Sequence, residues 1–386
     1  MSDRRRFNFL TMFSQFPLKT QCYDVNKSLS LSLLQNFTSN DTSPSSSPSR
    51  QATASEIVPE GKEKKKVVDV AFNNLFGYIP SSLGIPSSLH VLKMNNNNFG
   101  GEIPSSFQNC SDLMDIDLGG NKLTGKLPSW IASELHHLQI LKLSSNLLSG
   151  HIPTQLCNLQ MLQIQDVGHN NFSGTIPTCL NNLTYLIMSG GKSWPLYDDY
   201  NEETTIISKG RELEYGMTNT ILMQVTSIDL SSNNLDGDVP KEICSLIALG
   251  TLNLSRNQLT GKIPSPIGKL TQLETLDLSH NHLSGEILQS MSSLNFLSHL
   301  NLSYNNLRGR IPSGNQLQTL DDPSIYGDNP LLCGFPLNKK TAKIMKMMMK
   351  SLVVYQRRAR IHRRILGRLQ HIDPEQVMEV HVFSIF

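Results

Sequence analysis

The amino-acid sequence predicts an α/β-type repeat solenoid with a parallel β-sheet along its concave face, short 3-10 and loop returns, and disordered termini. Three observations predict it. A block of the form L-x-L-x-x-N-x-L-x-G-x-I-P recurs from Val68 onward. Its asparagines are spaced by 24 or 25 residues, apart from one gap of 63. Leu makes up roughly one residue in seven and Asn roughly one in twelve, the pairing expected when stacked units share inward leucines and asparagine turns.

Each slot has a physical reason. In L-x-L, alternate side chains of a short strand point inward, and like strands from successive units pair in parallel about 4.8 Å apart. Parallel pairing needs a return path of a dozen residues or more, which a 24-residue unit supplies. Nine units then span about 43 Å. The asparagines Asn73, Asn97, Asn121, Asn146, Asn170, Asn233, Asn257, Asn281 and Asn305 follow the strand, where the chain turns inward and leaves backbone groups that an amide side chain can satisfy. They are predicted to form a ladder. The glycine four residues later permits a backbone shape that other residues resist, and the proline after the isoleucine favours an extended return. Departures are few: Gln165 stands in an apolar slot and Leu288 in a proline slot. No unit buries its inner face alone, so the ends need caps.

The period divides the chain into a Ser-, Thr- and Lys-rich segment at 1–66, five units at 67–185, an insertion at 186–222, four units at 223–313, a carboxyl cap at 314–338 and a basic tail at 339–386. The insertion accounts for the long gap, which is one unit plus 39 residues. Its Trp194, Tyr197, Tyr200 and Tyr215 among acids are too aromatic for a linker, so it is expected to fold back on the solenoid.

Strings such as LKLSSNLLSGHIP, IDLSSNNLDGDVP, LNLSRNQLTGKIP and LNLSYNNLRGRIP resemble plant extracellular leucine-rich repeats. That resemblance implies a curved leucine-rich-repeat solenoid, a fold shared by receptor-like kinases, receptor-like proteins and inhibitors of cell-wall polygalacturonases. TIISKGRELEY before ILMQVTSIDLSSN resembles the island of kinase-less receptor-like proteins of the Cf type, which perceive microbial or fungal molecules. SGNQLQTLDDPSIYGDNPLLCGFPL resembles their carboxyl cap. In that family a cysteine like Cys333 pairs with another a few residues downstream, but here NKKTAK follows. A paired-Cys amino cap, an acidic juxtamembrane segment and a transmembrane helix are also missing, so the resemblance implies a member truncated or mis-assembled at both ends. It further implies plasma-membrane location on the extracellular side, although the chain shows no clear signal peptide.

Net charge is +2, which excludes a chain organised as a whole around nucleic acid or anionic membrane. The basic residues gather in the tail, where eleven Lys or Arg face three acids. VVYQRRARIHRRILGRLQ could form a basic amphipathic helix for calmodulin, a membrane surface or a nuclear-import receptor, but translated non-homologous sequence is the favoured reading. The six cysteines lie far apart without a C-x-x-C pair, so most are expected as single buried thiols. No apolar run is long enough to cross a bilayer.

Candidate chemistry is sparse. GGKS at 190–193 lacks the earlier glycine of a phosphate loop. His280 and His282 fill ordinary variable slots. Neither a catalytic constellation nor a kinase signature is present, so no catalysis, cofactor or metal is expected. Sequons occur at Asn26, Asn36, Asn40, Asn109, Asn171, Asn182, Asn253 and Asn301, the last five within the repeats and candidate glycan acceptors on export.

The functional surface is expected on the concave face, where variable residues between buried leucines project outward: Asp115, Asp117, Lys142, Asp166, His169, Asp229, Arg256, Asp277, His280 and Tyr304. The island adds Trp194, Tyr197, Tyr200, Lys209, Arg211 and Tyr215, residue types that anchor interfaces. The expected activity is recognition of a peptide, glycan or protein, with a co-receptor kinase near the last units by resemblance. Alternatives are a soluble polygalacturonase inhibitor, and an intracellular protein binding calmodulin or nucleic acid through its tail.

Overall fold

The computed structural model describes residues 67–84, 88–188, 203–208, 211–216 and 225–337. All lie in the larger of two compact units, Pro44–Phe386; the smaller, Met1–Ser43, falls outside the described residues, as do the basic tail and the sequons Asn26, Asn36 and Asn40.

Nine three-residue strands, Val67–Asp69, Val91–Lys93, Asp115–Asp117, Ile140–Lys142, Ile164–Asp166, Ser227–Asp229, Thr251–Asn253, Thr275–Asp277 and His299–Asn301, pair in parallel in chain order. Each opens one coil of a leucine-rich-repeat solenoid. The fifth strand pairs directly with the sixth, Ile164 opposite Ser227, so the insertion leaves the sheet unbroken. The middle residues share one register: Val68, Leu92, Ile116, Leu141, Gln165, Ile228, Leu252, Leu276 and Leu300. All are buried in the solenoid interior, and Gln165 alone among them is polar.

The return of most coils runs through a short outer strand and then a 3-10 turn. The turns Ser105–Asn109, Thr154–Asn158, Thr178–Asn182, Lys241–Ser245 and Ser265–Lys269 each follow a proline with extended backbone. Leu288 adopts the same shape (φ −78°, ψ 141°) before Gln289–Ser293. The slot therefore demands a conformation that proline supplies in advance and leucine can reach. The third coil has a short α-helix, Trp130–Glu134, in place of the 3-10 turn.

The asparagine ladder is present. Asn121 Nδ2 donates to Met94 O of the preceding coil (2.9 Å) and to Leu118 O of its own (3.1 Å), while its Oδ1 accepts from Phe99 N (3.0 Å). Such bonds join neighbouring coils along the stack and satisfy backbone groups that have no water within reach. One rung escaped the sequence reading. Asn329 bonds to Leu302 O and accepts from Leu307 N, and Leu331–Cys333 pairs with the outer strand of the ninth coil. A tenth, degenerate coil thus lies within the expected cap.

The glycines have a second role beyond backbone freedom. Gly125 (φ 84°) would place a β-carbon 2.8 Å from Glu102 Cγ, and Gly285 (φ 86°) would place one 3.0 Å from Lys262 Cγ. Each glycine lets the side chain just after the preceding coil's glycine lie flat across it.

One expectation needs correction. Cys157 and Cys179 form a disulfide, with Cα atoms 5.8 Å apart and a sequence separation of 22. They occupy neighbouring 3-10 turns of the fourth and fifth coils, so stacking brings together slots that sequence separation keeps apart. Cys110 and Cys244 are buried thiols as expected, pushed up to about 11 by burial, and Cys333 is a half-buried thiol.

Candidate ligand-binding face

Two rows of side chains on the concave side carry most of the polar residues. The first is formed by the last residue of each strand: Asp69, Lys93, Asp117, Lys142, Asp166, Asp229, Asn253, Asp277 and Asn301, each in register with the next. One oxygen of each aspartate folds back on its own turn. Gly119 N donates to Asp117 Oδ1 (3.1 Å), Gly168 N to Asp166 Oδ1 (3.1 Å), Ser231 N to Asp229 Oδ1 (2.8 Å) and Ser279 N to Asp277 Oδ1 (2.8 Å). The other oxygen meets a neighbouring coil. Lys142 Nζ lies 3.6 Å from Asp117 Oδ2, Asn253 Nδ2 donates to Asp229 Oδ2 (2.8 Å), and Asn301 Nδ2 donates to Asp277 Oδ2 (3.3 Å).

This row is less open than the alternation of the strands implies. Asp115, Asp117, Lys142 and Asp229 are buried, and Asp166, Asp277 and His280 are half-buried. Period-two alternation decides which face a side chain leaves from, but neighbours about 4.8 Å away on both sides cover it laterally. Of the ten concave-face candidates, only His169, Arg256 and Tyr304 are exposed.

The second row explains these three. The residue before each ladder asparagine has a left-handed backbone: Phe72, Asn96, Ser145, His169, Ser232, Arg256, His280 and Tyr304 all have φ between 51° and 56°. The tight turn into the asparagine forces this shape, which non-glycine residues adopt only where surrounding structure holds it. His280 and Tyr304 stack with ring centroids 4.1 Å apart and planes 10° from parallel.

At the meeting of the fifth and sixth coils two aspartates are in register, Asp166 opposite Asp229. Burial, and then the Asp229 charge, push Asp166 up to about 7, against a hydrogen bond from Ser144 Oγ (2.6 Å). Burial also raises Asp229, opposed by its bonds from Ser231 and Asn253 and by nearby His169.

The repeat register also reassigns two sequons. Asn253 and Asn301 occupy the aspartate slot, where their Nδ2 groups are engaged with carboxylates and their Oδ1 atoms accept from Ser255 Oγ and Ser303 Oγ (both 2.7 Å). Aligning the coils on the ladder asparagine would have shown this. Asn109, Asn171 and Asn182 are exposed. Of the island candidates, Trp194, Tyr197, Tyr200 and Lys209 lie outside the described residues. Arg211 and Tyr215 belong to the second strand of an antiparallel hairpin, Glu203–Ser208 with Arg211–Gly216. Among the described residues, no group of three or more His, Cys, Asp or Glu is arranged to hold a metal ion, and no helix is long and apolar enough to cross a membrane.

Comparison with known proteins fits this architecture. A Leucine Rich Repeat family model matches residues 88–110, 112–133, 137–159, 224–246 and 296–318, and a Leucine Rich repeats (2 copies) model matches 248–290. The chain is similar to the leucine-rich-repeat ectodomain of the Arabidopsis thaliana membrane receptor kinase GASSHO1/SCHENGEN3, solved in complex with CASPARIAN STRIP INTEGRITY FACTOR 2. Identity is 30% and the TM-score 0.53, over 71% of this chain and 31% of that one. It is similar to the Arabidopsis receptor kinase HAESA, solved with the peptide hormone IDA and the co-receptor SERK1, at 27% identity and TM-score 0.54, over 72% of this chain and 43% of that one. A plant ice-binding protein is similar at 27% identity and TM-score 0.50, over 70% of this chain and 82% of that one. The match thus spans less than half the length of either receptor chain. No curated protein matches the chain.

Proposed function

We propose that this chain is a non-catalytic recognition module of a plant receptor-like protein, binding a peptide, glycan or protein ligand on the concave face and island and signalling through a partner kinase. The observation that carries the reading is the exposed row of left-handed turns, which presents His169, Arg256 and Tyr304 at fixed intervals beside a rigid nine-stranded sheet. Aromatic and arginine side chains held in place lose little freedom on binding, which favours affinity. The similar Arabidopsis receptor HAESA, solved with a peptide hormone and a co-receptor, supports the same assignment. The last coils, from Asn257 to Asn305, are the proposed docking place for a co-receptor kinase. The perceived molecule is of microbial or fungal origin by resemblance of the island to that of Cf-type proteins.

The Cys157–Cys179 disulfide supports an extracellular location, since such bonds form and persist in oxidising compartments. There the exposed Asn109, Asn171 and Asn182 become glycan acceptors, whereas the engaged amides of Asn253 and Asn301 stay unmodified.

The test is to expose the full secreted chain to a library of synthetic secreted plant peptides and fungal wall oligosaccharides, measuring binding by calorimetry. The expected result is a ligand whose affinity falls tenfold or more in Arg256→Ala and Tyr304→Ala. A ligand that binds both variants as tightly as the wild type would remove the concave face from the reading.

A further inference from the structure

The solenoid has one seam unlike the rest, and four features coincide there. The repeat spacing is broken, because 63 residues separate Asn170 from Asn233. In the core row the fifth strand contributes Gln165 where the other strands contribute aliphatic residues. A small cavity lies beneath it, lined by Leu156, Cys157, Gln165, Leu180, Ile228 and Ile243. In the strand-end row, Asp166 and Asp229 are in register with no lysine or asparagine between them, whereas every other step of that row pairs an acid with a cation or an amide.

The two carboxyls converge. A β-carbon placed on Gly168 would lie 2.9 Å from Asp229 Oδ1 and 3.4 Å from Asp166 Oδ1, so both oxygens crowd one backbone position. Their other oxygens are engaged on opposite sides, Asp166 Oδ2 by Ser144 Oγ (2.6 Å) and Asp229 Oδ2 by Asn253 Nδ2 (2.8 Å). Among the described residues, the groups that could neutralise a second charge act weakly or are solvated. Lys142, in register with Asp166 from the fourth coil, lies 3.6 Å from Asp117 Oδ2 and also favours the ionised form of Asp166, but more weakly than burial and the Asp229 charge oppose it. His169, exposed on the fifth coil's turn, favours the ionised form of Asp229 when cationic and so opposes proton retention. The sixth and seventh coils offer Ser231 and Asn253, which are neutral.

We propose that the seam between the fifth and sixth coils is a proton-operated joint, closed when one carboxyl of the Asp166–Asp229 pair holds a proton and loosened when both are ionised. Two like charges in a desolvated site repel, and protonating one carboxyl removes the repulsion. The joint lies where the chain leaves and re-enters the sheet, so the proton sets how firmly the two halves of the concave face are held in one register. The direction follows from linkage. The folded pair binds its proton more tightly than an unfolded carboxyl with its ordinary value of 3.8, so its contribution to folding is full in acid. That contribution falls as pH rises from about 4 to about 7, and is absent above.

The experiment is amide hydrogen exchange on the full chain at pH 5 and pH 8, corrected for intrinsic exchange. The seam reports through Val167 N, bonded to Asp229 O (3.0 Å), and Ser227 N, bonded to Gln163 O (2.9 Å). The seventh-to-eighth seam, with Leu254 N on Asp277 O (2.9 Å), serves as control. Protection at Val167 and Ser227 is expected to fall about tenfold or more at the higher pH, the factor produced by one unit of pKa difference, while the control changes less than about twofold. Asp229→Asn is expected to flatten the response, and Asp166→Asn does the same should the first variant not fold. Equal pH dependence at the two seams, or a response that survives in a folded variant, overturns the proposal.

Discussion

The first five coils and the next four use one scaffold but neutralise the strand-end row by different means. Before the insertion the row alternates acid and base, Asp69, Lys93, Asp117, Lys142 and Asp166; after it, acid and amide alternate, Asp229, Asn253, Asp277 and Asn301. Both patterns give each carboxylate a donor from a neighbouring coil, as Lys142 on Asp117 and Asn253 on Asp229 show. The ion-paired half takes two desolvated charges per step, the amide half only one. A buried charge pair contributes little over a neutral substitute yet is severely destabilising when one partner is removed. The first half should therefore fail more steeply on a single substitution than the second.

The largest effect is expected from Lys142→Met, which removes the cation 3.6 Å from the buried Asp117 carboxylate. A loss of about 3–5 kcal/mol by urea denaturation would mark the ion-paired half as the brittle one. Next comes Cys179→Ser. The disulfide closes a loop of 22 residues within the first half, while the second keeps Cys244 as a free thiol, so a loss of about 3 kcal/mol is expected under oxidising conditions and none in the reduced protein. The smallest effect sharpens the contrast. Asn253→Lys rebuilds the acid-base pattern between Asp229 and Asp277, and stability is expected to stay within about 1 kcal/mol of wild type while gaining a salt dependence that the parent lacks at this step.

The comparison also shows what a linear reading can see. The 24-residue period, the ladder from Asn73 to Asn305 and the buried leucines follow from slot chemistry repeated coil after coil, and each stands where expected. Asn329 escaped because Pro330 and Cys333 interrupt the familiar string, although Leu331 and Pro336 keep the spacing. The disulfide escaped because its partners sit in different slots of adjacent turns, a proximity made only by stacking. The candidate site was the least legible part. Alternation placed Asp115, Asp117, Lys142 and Asp229 on the correct face, but their burial comes from neighbours 24 or more residues away in the chain. The exposed positions instead depend on a left-handed turn whose occupants vary from Phe72 to Tyr304, so no residue type announces it.

The fit between each glycine and the side chain lying across it governs how such an array can grow or shrink. Glu102 over Gly125 and Lys262 over Gly285 are the same socket with different plugs. Removing or duplicating one whole unit leaves every socket facing a plug, and even across the 63-residue gap Thr175 lies against Gly237. An array of this kind could lengthen by copying a cassette without redesigning its neighbours, while extra sequence of another length is accepted between coils, as between the fifth and sixth, without breaking the sheet.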